Sequence, residues 1–226
     1  VLLSGEYRDD YAGAAAVDAG DLDGDGVRDL AVGAFGHDTV GVMAGRVYLV
    51  RGPLEARSLA DADGTIDGAE SWDLFGWALA GGRDLDLDGR DDLIVGAPGT
   101  NGAALSSGAA HVFVSPHDGP RDAADTWVSL VGADADARAG WSVAALRGAP
   151  PRVAVGAPGL LAGAGGAWVS AVDDGGTVLL DEPLLAGDER DGAGGSLAAG
   201  DPMGDGCDLL AVGAPDGGRV WIFGAP

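Results

Sequence analysis

An all-β fold assembled from four copies of one sheet unit is what this sequence predicts, and three periodic features predict it. A Gly-Ala corner recurs at Gly33-Ala34-Phe35, Gly96-Ala97-Pro98, Gly156-Ala157-Pro158 and Gly213-Ala214-Pro215, at intervals of 63, 60 and 57 residues. Upstream of each stands a small signature built on a glycine: Tyr11-Ala12-Gly13, Phe75-Gly76-Trp77, Ala139-Gly140-Trp141 and Ala193-Gly194-Gly195. Downstream, each corner is followed by a glycine and a run in which apolar residues alternate. Self-similarity at a fixed period is the mark of a repeat architecture.

Taken in order, each repeat offers four strand-sized segments. The first follows the glycine signature. The second is a near-continuous apolar run, at Asp29 to Ala34, Asp92 to Ala97, Val153 to Ala157 and Leu209 to Ala214, as expected of a strand buried on both faces. The third, at Gly45 to Val50, Gly108 to Val114, Gly166 to Val172 and Gly218 to Phe223, alternates as a half-buried strand does. The fourth is a short apolar piece ending in glycine, at Leu2 to Gly5, Thr65 to Gly68, Leu130 to Gly132 and Leu184 to Gly187. The best helix candidate, Leu54 to Ala60, has room for only two turns. Four-stranded antiparallel units repeated radially form a β-propeller. The expectation is one domain over 1–226, with repeats at about 5–67, 68–131, 132–186 and 187–226. Residues 1–4 would be a closing strand, with Leu2-Leu3 pairing beside Val220-Trp221-Ile222. A closed four-bladed ring and part of a larger propeller are both open, with a slight preference for a piece of a longer chain.

Composition bounds the function. Thirteen basic against thirty-six acidic residues give a net charge of −23, which argues against nucleic acid and anionic membranes as partners. No apolar run is long enough to span a membrane. The single cysteine, Cys207, excludes an intrachain disulfide. His37, His111 and His117 lie in separate segments without metal or triad spacing, and no nucleophile-elbow, zincin or phosphate-loop motif occurs.

Much of the acidity is patterned. Asp21-Leu22-Asp23-Gly24-Asp25-Gly26-Val27-Arg28-Asp29 places carboxylates at loop positions 1, 3, 5 and 9, and Asp84, Asp86, Asp88 and Asp92 repeat the arrangement. Hard oxygen ligands at alternating positions of a glycine-bearing loop suit Ca²⁺. The expected ligands are Asp21, Asp23, Asp25, the Val27 carbonyl and Asp29 in one loop, and Asp84, Asp86, Asp88, the Arg90 carbonyl and Asp92 in the other. An EF-hand does not fit, because position 12 is Val32 or Val95 where that motif needs Glu, and a strand follows where it needs a helix. The third repeat has Arg147 to Arg152 at this place and should hold no metal. The fourth, Asp201-Pro202-Met203-Gly204-Asp205-Gly206-Cys207-Asp208, is either a weak third site on Asp201, Asp205 and Asp208 or a plain turn, with the plain turn favoured.

An aromatic-Gly step, then Asp-x-Asp-x-Asp-Gly-x-x-Asp, then Gly-Ala-Pro, at about sixty residues per copy, resembles the FG-GAP repeat of integrin α-subunit propellers and their bacterial relatives. The resemblance implies that the calcium loop joins the first and second strands of a blade, opposite the ligand-binding face. It implies a non-catalytic, calcium-stabilised module, secreted or at the cell surface, that binds a protein or glycan. The alternative is an accessory domain of a larger secreted enzyme of lyase or phospholipase type. Acidic clusters at Glu6 to Asp10, Glu70 to Asp73, Asp134 to Asp136 and Asp188 to Asp191 would crowd the ligand face, or be simple solvated loop acidity. Trp77, Trp141, Trp168 and Trp221 are better explained as packing between blades than as a sugar platform.

Overall fold

The computed structural model describes residues 1–224 except 117, 173, 174 and 189; His117 and one residue of the last acidic cluster therefore lie outside the described residues. A short strand, β1 (Leu3–Ser4), precedes four sheets. The first repeat supplies β2 (Ala15–Gly20), β3 (Asp29–Ala34), β4 (Arg46–Val50), β5 (Arg57–Ser58) and β6 (Gly64–Asp67). The second supplies β7 (Ala78–Arg83), β8 (Asp92–Ala97), β9 (Ala109–Phe113), β10 (Gly119–Asp122) and β11 (Val128–Gly132). The third supplies β12 (Ser142–Leu146), β13 (Arg152–Ala157), β14 (Gly166–Ala171), β15 (Gly176–Leu180) and β16 (Leu185–Ala186), and the fourth β17 (Ser196–Gly200), β18 (Leu209–Ala214) and β19 (Arg219–Gly224). The first, second, third and fifth strands of each full repeat form an antiparallel meander, which confirms the four segments expected per repeat.

The fourth strand in each full repeat was not anticipated. It leaves its own sheet and pairs in parallel with the outermost strand of the preceding one: β10 on β6 and β15 on β11. By the same rule β5 pairs in parallel with β1, at Leu3↔Arg57 and Ser4↔Ser58. This corrects the expected ring closure. Leu3 is engaged by Arg57 and not by Val220 to Ile222, and β19 bonds only to β18 among the described strands. Val220 and Ile222 stay 65% and 67% exposed. The helix candidate at Leu54 to Ala60 is likewise replaced by β5 and a single 3-10 turn, Leu59–Asp61, because the edge of β1 offers backbone partners that a two-turn helix would forgo.

The core lies between sheets. Ala19, Leu22 and Ala31 of the first sheet meet Leu93, Val95 and Phe113 of the second. Ile94 and Val112 of the second meet Val143, Val153 and Trp168 of the third, and Ala144 and Ala167 of the third meet Leu210 and Val212 of the fourth. Successive sheets thus cover one another's faces, with the innermost strands β2, β7, β12 and β17 neighbours in turn. That is why β8 is buried at every position, as its apolar run predicted, and why β4 is buried at all but the first instead of alternating as its sequence suggested.

The recurrent glycines mark where backbones touch. A Cβ on Gly33, Gly96 or Gly156 would lie 2.1, 2.0 or 2.3 Å from the carbonyl oxygen of Gly76, Gly140 or Gly194, in each case the signature glycine of the next repeat. The glycine opening each third strand makes a parallel bridge to the same signature, at Gly45↔Phe75, Gly108↔Ala139 and Gly165↔Ala193. Only glycine permits such approach. Gly96→Ala is therefore expected to cost about 1–3 kcal/mol or more, since a main-chain carbonyl cannot step aside. Gly200→Ala, with open space around its Cβ, should stay within about 0.5 kcal/mol. Urea unfolding of the two variants measures both.

Candidate metal centres

Both acidic loops are hairpin turns at one end of their sheets, residues 21–28 joining β2 to β3 and 84–91 joining β7 to β8. In the first, the Asp21 carboxylate accepts the N–H groups of Gly24, Asp25 and Gly26 at 2.8, 3.0 and 2.9 Å, which folds the loop around it. Gly24 and Gly26 take φ of 80° and 86°, values that favour glycine. Asp23 accepts from Asp25, and Asp25 from Val27. Asp29 is almost fully buried and accepts from Leu22 on one oxygen and from Gly52, beyond the third strand, on the other. The second loop copies this: Asp84 accepts from Asp88 and Gly89, Asp88 from Arg90, and Asp92 from Leu85 and Ser115.

The structure brings three of the four expected carboxylates together in each loop. One oxygen each of Asp21, Asp23 and Asp29 lie within 4.8 Å of one another, and so do those of Asp84, Asp86 and Asp88. Asp25 and Asp92 stand outside these triplets, although Asp92, like Asp29, accepts backbone N–H groups on both its oxygens. Burial, reinforced by neighbouring carboxylates, raises the pKa of Asp29 and Asp86 and pushes Asp92 up to about 7. Among the described residues, Arg51, 3.5 Å from Asp23, makes the one ion pair at the first triplet. An all-oxygen, converging and under-neutralised donor set fits a hard divalent cation of calcium's size.

Two residues outside the ligand pattern shape these loops. Asp91 accepts the N–H of Asp21 at 2.9 Å and donates its own N–H to the Asp21 carbonyl at 3.0 Å, so the second loop clasps the first ligand of the first. Arg147, in the turn between β12 and β13, reaches the fourth-repeat loop. There Asp201 gathers the N–H groups of Gly204, Asp205 and Gly206, as Asp21 does in its own loop. The Arg147 guanidinium lies 3.5 Å from Asp201 and 3.8 Å from the buried Asp208, which also accepts the Arg147 N–H at 2.7 Å. Asp201, Asp205 and Asp208 do not converge into a triplet; an internal guanidinium serves two of them.

At the opposite end of the sheets an aromatic row crosses three repeats. Tyr11 stacks on Phe35 at 4.9 Å, Phe35 meets Trp77 at 4.8 Å, and Trp77 meets Trp141 at 4.5 Å. Trp77 and Trp141 therefore pack between sheets, as expected. In three repeats the acidic cluster ends in a buried aspartate that closes a turn by accepting an N–H three residues back, Asp10 from Tyr7, Asp73 from Glu70 and Asp191 from Asp188. His37 is buried beside Glu6 and Asp10, and His111 is half-buried against Phe75 and Phe113 and bonded to Ser129, its pKa lowered to about 4 by desolvation.

Sheets stacked through glycine contacts, with carboxylate hairpins at one end, define a repeat protein with calcium-type loops. The chain carries FG-GAP repeats: the FG-GAP repeat family model matches residues 13–50 and 75–113, the first three meander strands of the first two sheets. It is similar to phosphatidylinositol-glycan-specific phospholipase D of Bos taurus, 32% identical over 138 residues, covering 58% of this chain and 16% of that protein. It is also similar to integrin alpha-5 of Xenopus laevis, 30% identical over 127 residues (52% and 12%), and to integrin alpha-M of Mus musculus, 40% over 90 residues (38% and 8%). The chain thus spans less than a fifth of each of these relatives.

Removing the Arg147 side chain takes from the buried Asp208 one of the two guanidinium groups that lie 3.8 Å from it, the other being that of Arg83. Arg147→Ala should lower stability by about 1–3 kcal/mol, and Arg147→Lys should recover part of it. Denaturant melts of the two variants against the parent decide this, and equal stability of all three would contradict the role given to the guanidinium.

Proposed function

We propose that the chain is a calcium-stabilised, non-catalytic propeller module, its four sheets consecutive blades, that works outside the cell in adhesion or in binding a protein or glycan. The observation that carries the reading is the pair of converging carboxylate triplets on equivalent hairpins of adjacent sheets. Asp21, Asp23 and Asp29 would hold one ion with the Val27 carbonyl and Asp25 completing the shell, and Asp84, Asp86 and Asp88 the other with the Arg90 carbonyl and Asp92. Calcium bound there exchanges carboxylate repulsion for coordination and stiffens the turn between a blade's first two strands. Extracellular modules bind Ca²⁺ at about 10⁻⁴ to 10⁻³ M, which favours a secreted or cell-surface setting. Ligand recognition belongs to the opposite end, as in the implied family architecture. The similarity to a phospholipase supports a second reading, a propeller domain serving a larger secreted enzyme whose catalysis lies elsewhere.

Each site at 10⁻⁴ M affinity adds about 1.4 kcal/mol in millimolar calcium, so two sites should raise the melting temperature by roughly 5–10 °C over an EGTA-treated sample. Asp23→Ala with Asp86→Ala should abolish the difference; superimposable melts of the parent with and without calcium would sink the proposal. Asp91→Ala should weaken cation binding at the first loop several-fold, whereas Asp91→Asn, which keeps an acceptor for the Asp21 N–H, should retain most of it. Calorimetric titration separates the two variants.

A further inference from the structure

A cleft lies between the third and fourth repeats, at the end remote from the carboxylate loops. It encloses about 510 Å³ and is walled by Arg138, Trp141, Pro158, Arg190, Pro215 and Asp216 over a glycine backbone floor. Its end of the sheets follows from topology: Trp141 immediately precedes β12 and Pro158 immediately follows β13, whereas the 147–151 turn joins these strands at the other end. The volume falls in the range of small-ligand sites.

The other repeats serve as an internal control for the cleft's chemistry. The place of Arg138, two residues before the signature glycine, is held by Tyr11, Leu74 and Gly192 in the other copies. Two residues earlier, Arg190 stands where the second and third copies have Trp72 and Asp136. The buried turn-closing aspartate of the other copies is Ala137 in the third, so the acid nearest Arg138 in the repeat plan is missing. In a chain of net charge −23, where Arg46 and Arg219 pair with acidic-cluster residues, Arg138 and Arg190 have no ion-pair partner among the described residues. Arg138 rests over the half-buried Trp141 ring at 5.8 Å, which orients its guanidinium and leaves its N–H edge free. Asp216, near Gly192, is the one acid of the lining among the described residues.

From this we infer that the cleft is a binding site for an acidic saccharide, a uronate-type ring whose carboxylate is taken by Arg138 and Arg190. A guanidinium fork matches a carboxylate with two parallel hydrogen bonds. The Trp141 edge and the two prolines give the C–H face of a sugar an apolar wall, and the Asp216 carboxylate can accept from hydroxyls. An acidic peptide would use the arginines and gain little from that wall. The inference rests on the reading of this end as the recognition end.

Trigalacturonic acid, its neutral methyl ester and a hexaglutamate peptide are titrated into the protein by calorimetry, with calcium and again in EGTA. The expected result is saturable binding of trigalacturonate, weakened at least tenfold in Arg138→Ala and in Arg190→Ala, with no binding of the ester. Both arginines are exposed, and unchanged melting of the variants establishes that they fold. No saturable heat with trigalacturonate, equal binding of the ester, indifference to both substitutions, or preference for hexaglutamate would each overturn it. Loss of sugar binding alongside calcium-dependent melting fails the cleft alone. Calcium-blind melting fails the metal reading and leaves the titration interpretable.

Discussion

The close approach of main chain to main chain at the sheet boundaries is the constraint on which the rest of the structure depends. At three successive boundaries the corner glycine of one repeat lies against the carbonyl of the next repeat's signature glycine. The same signature also bridges to the glycine that opens the third strand. A spacing so short brings the apolar faces of neighbouring sheets into contact, and three of the four core clusters fill the gaps between successive sheets and not one common centre. The period of about sixty residues is therefore a packing period. Each copy must return its glycines to the same height on the sheet, while the connecting loops vary in length because nothing there must touch.

Edges are the second consequence of stacking. A meander ends in an outer strand whose far side has no partner, an invitation to aggregation. Here the connection that leaves each third strand swings back and lays a parallel strand on that edge, so one repeat finishes the sheet of its predecessor. The device also ties sheets together by backbone hydrogen bonds in addition to side-chain contact.

The meander strands were legible because their signals are local: apolar runs, alternation and glycine corners. The crossing strands were not. Gly119-Pro120-Arg121-Asp122 has no alternation and contains a proline, and its extended form is imposed by the waiting edge of β6. The carboxylate loops were legible for the same reason the meander was, since spacing along the chain determines which oxygens can converge. What the spacing could not reveal is which three of the four carboxylates in each loop come together. Asp29 joins its triplet while Asp92, its counterpart, does not, although each accepts backbone N–H groups on both oxygens. Nor could it reveal that Asp91 clasps a residue 70 positions away, or that an arginine from the carboxylate-free third turn serves the fourth. Those partners meet only once the sheets are stacked.

The chain's acidity thus falls into populations that composition cannot separate. At one end, carboxylates point inward at one another with too few protein donors between them. At the other, Asp10, Asp73 and Asp191 point at backbone N–H groups and are satisfied within their own turns. The fourth-repeat loop is the intermediate case, because it keeps the backbone nest around Asp201 but receives a guanidinium from the neighbouring sheet. The third repeat has no carboxylates in its own turn, and its arginine reaches next door. In the proposed reading, a bound cation and an internal guanidinium are then alternative answers to one electrostatic problem, chosen loop by loop according to what the adjacent sheet offers.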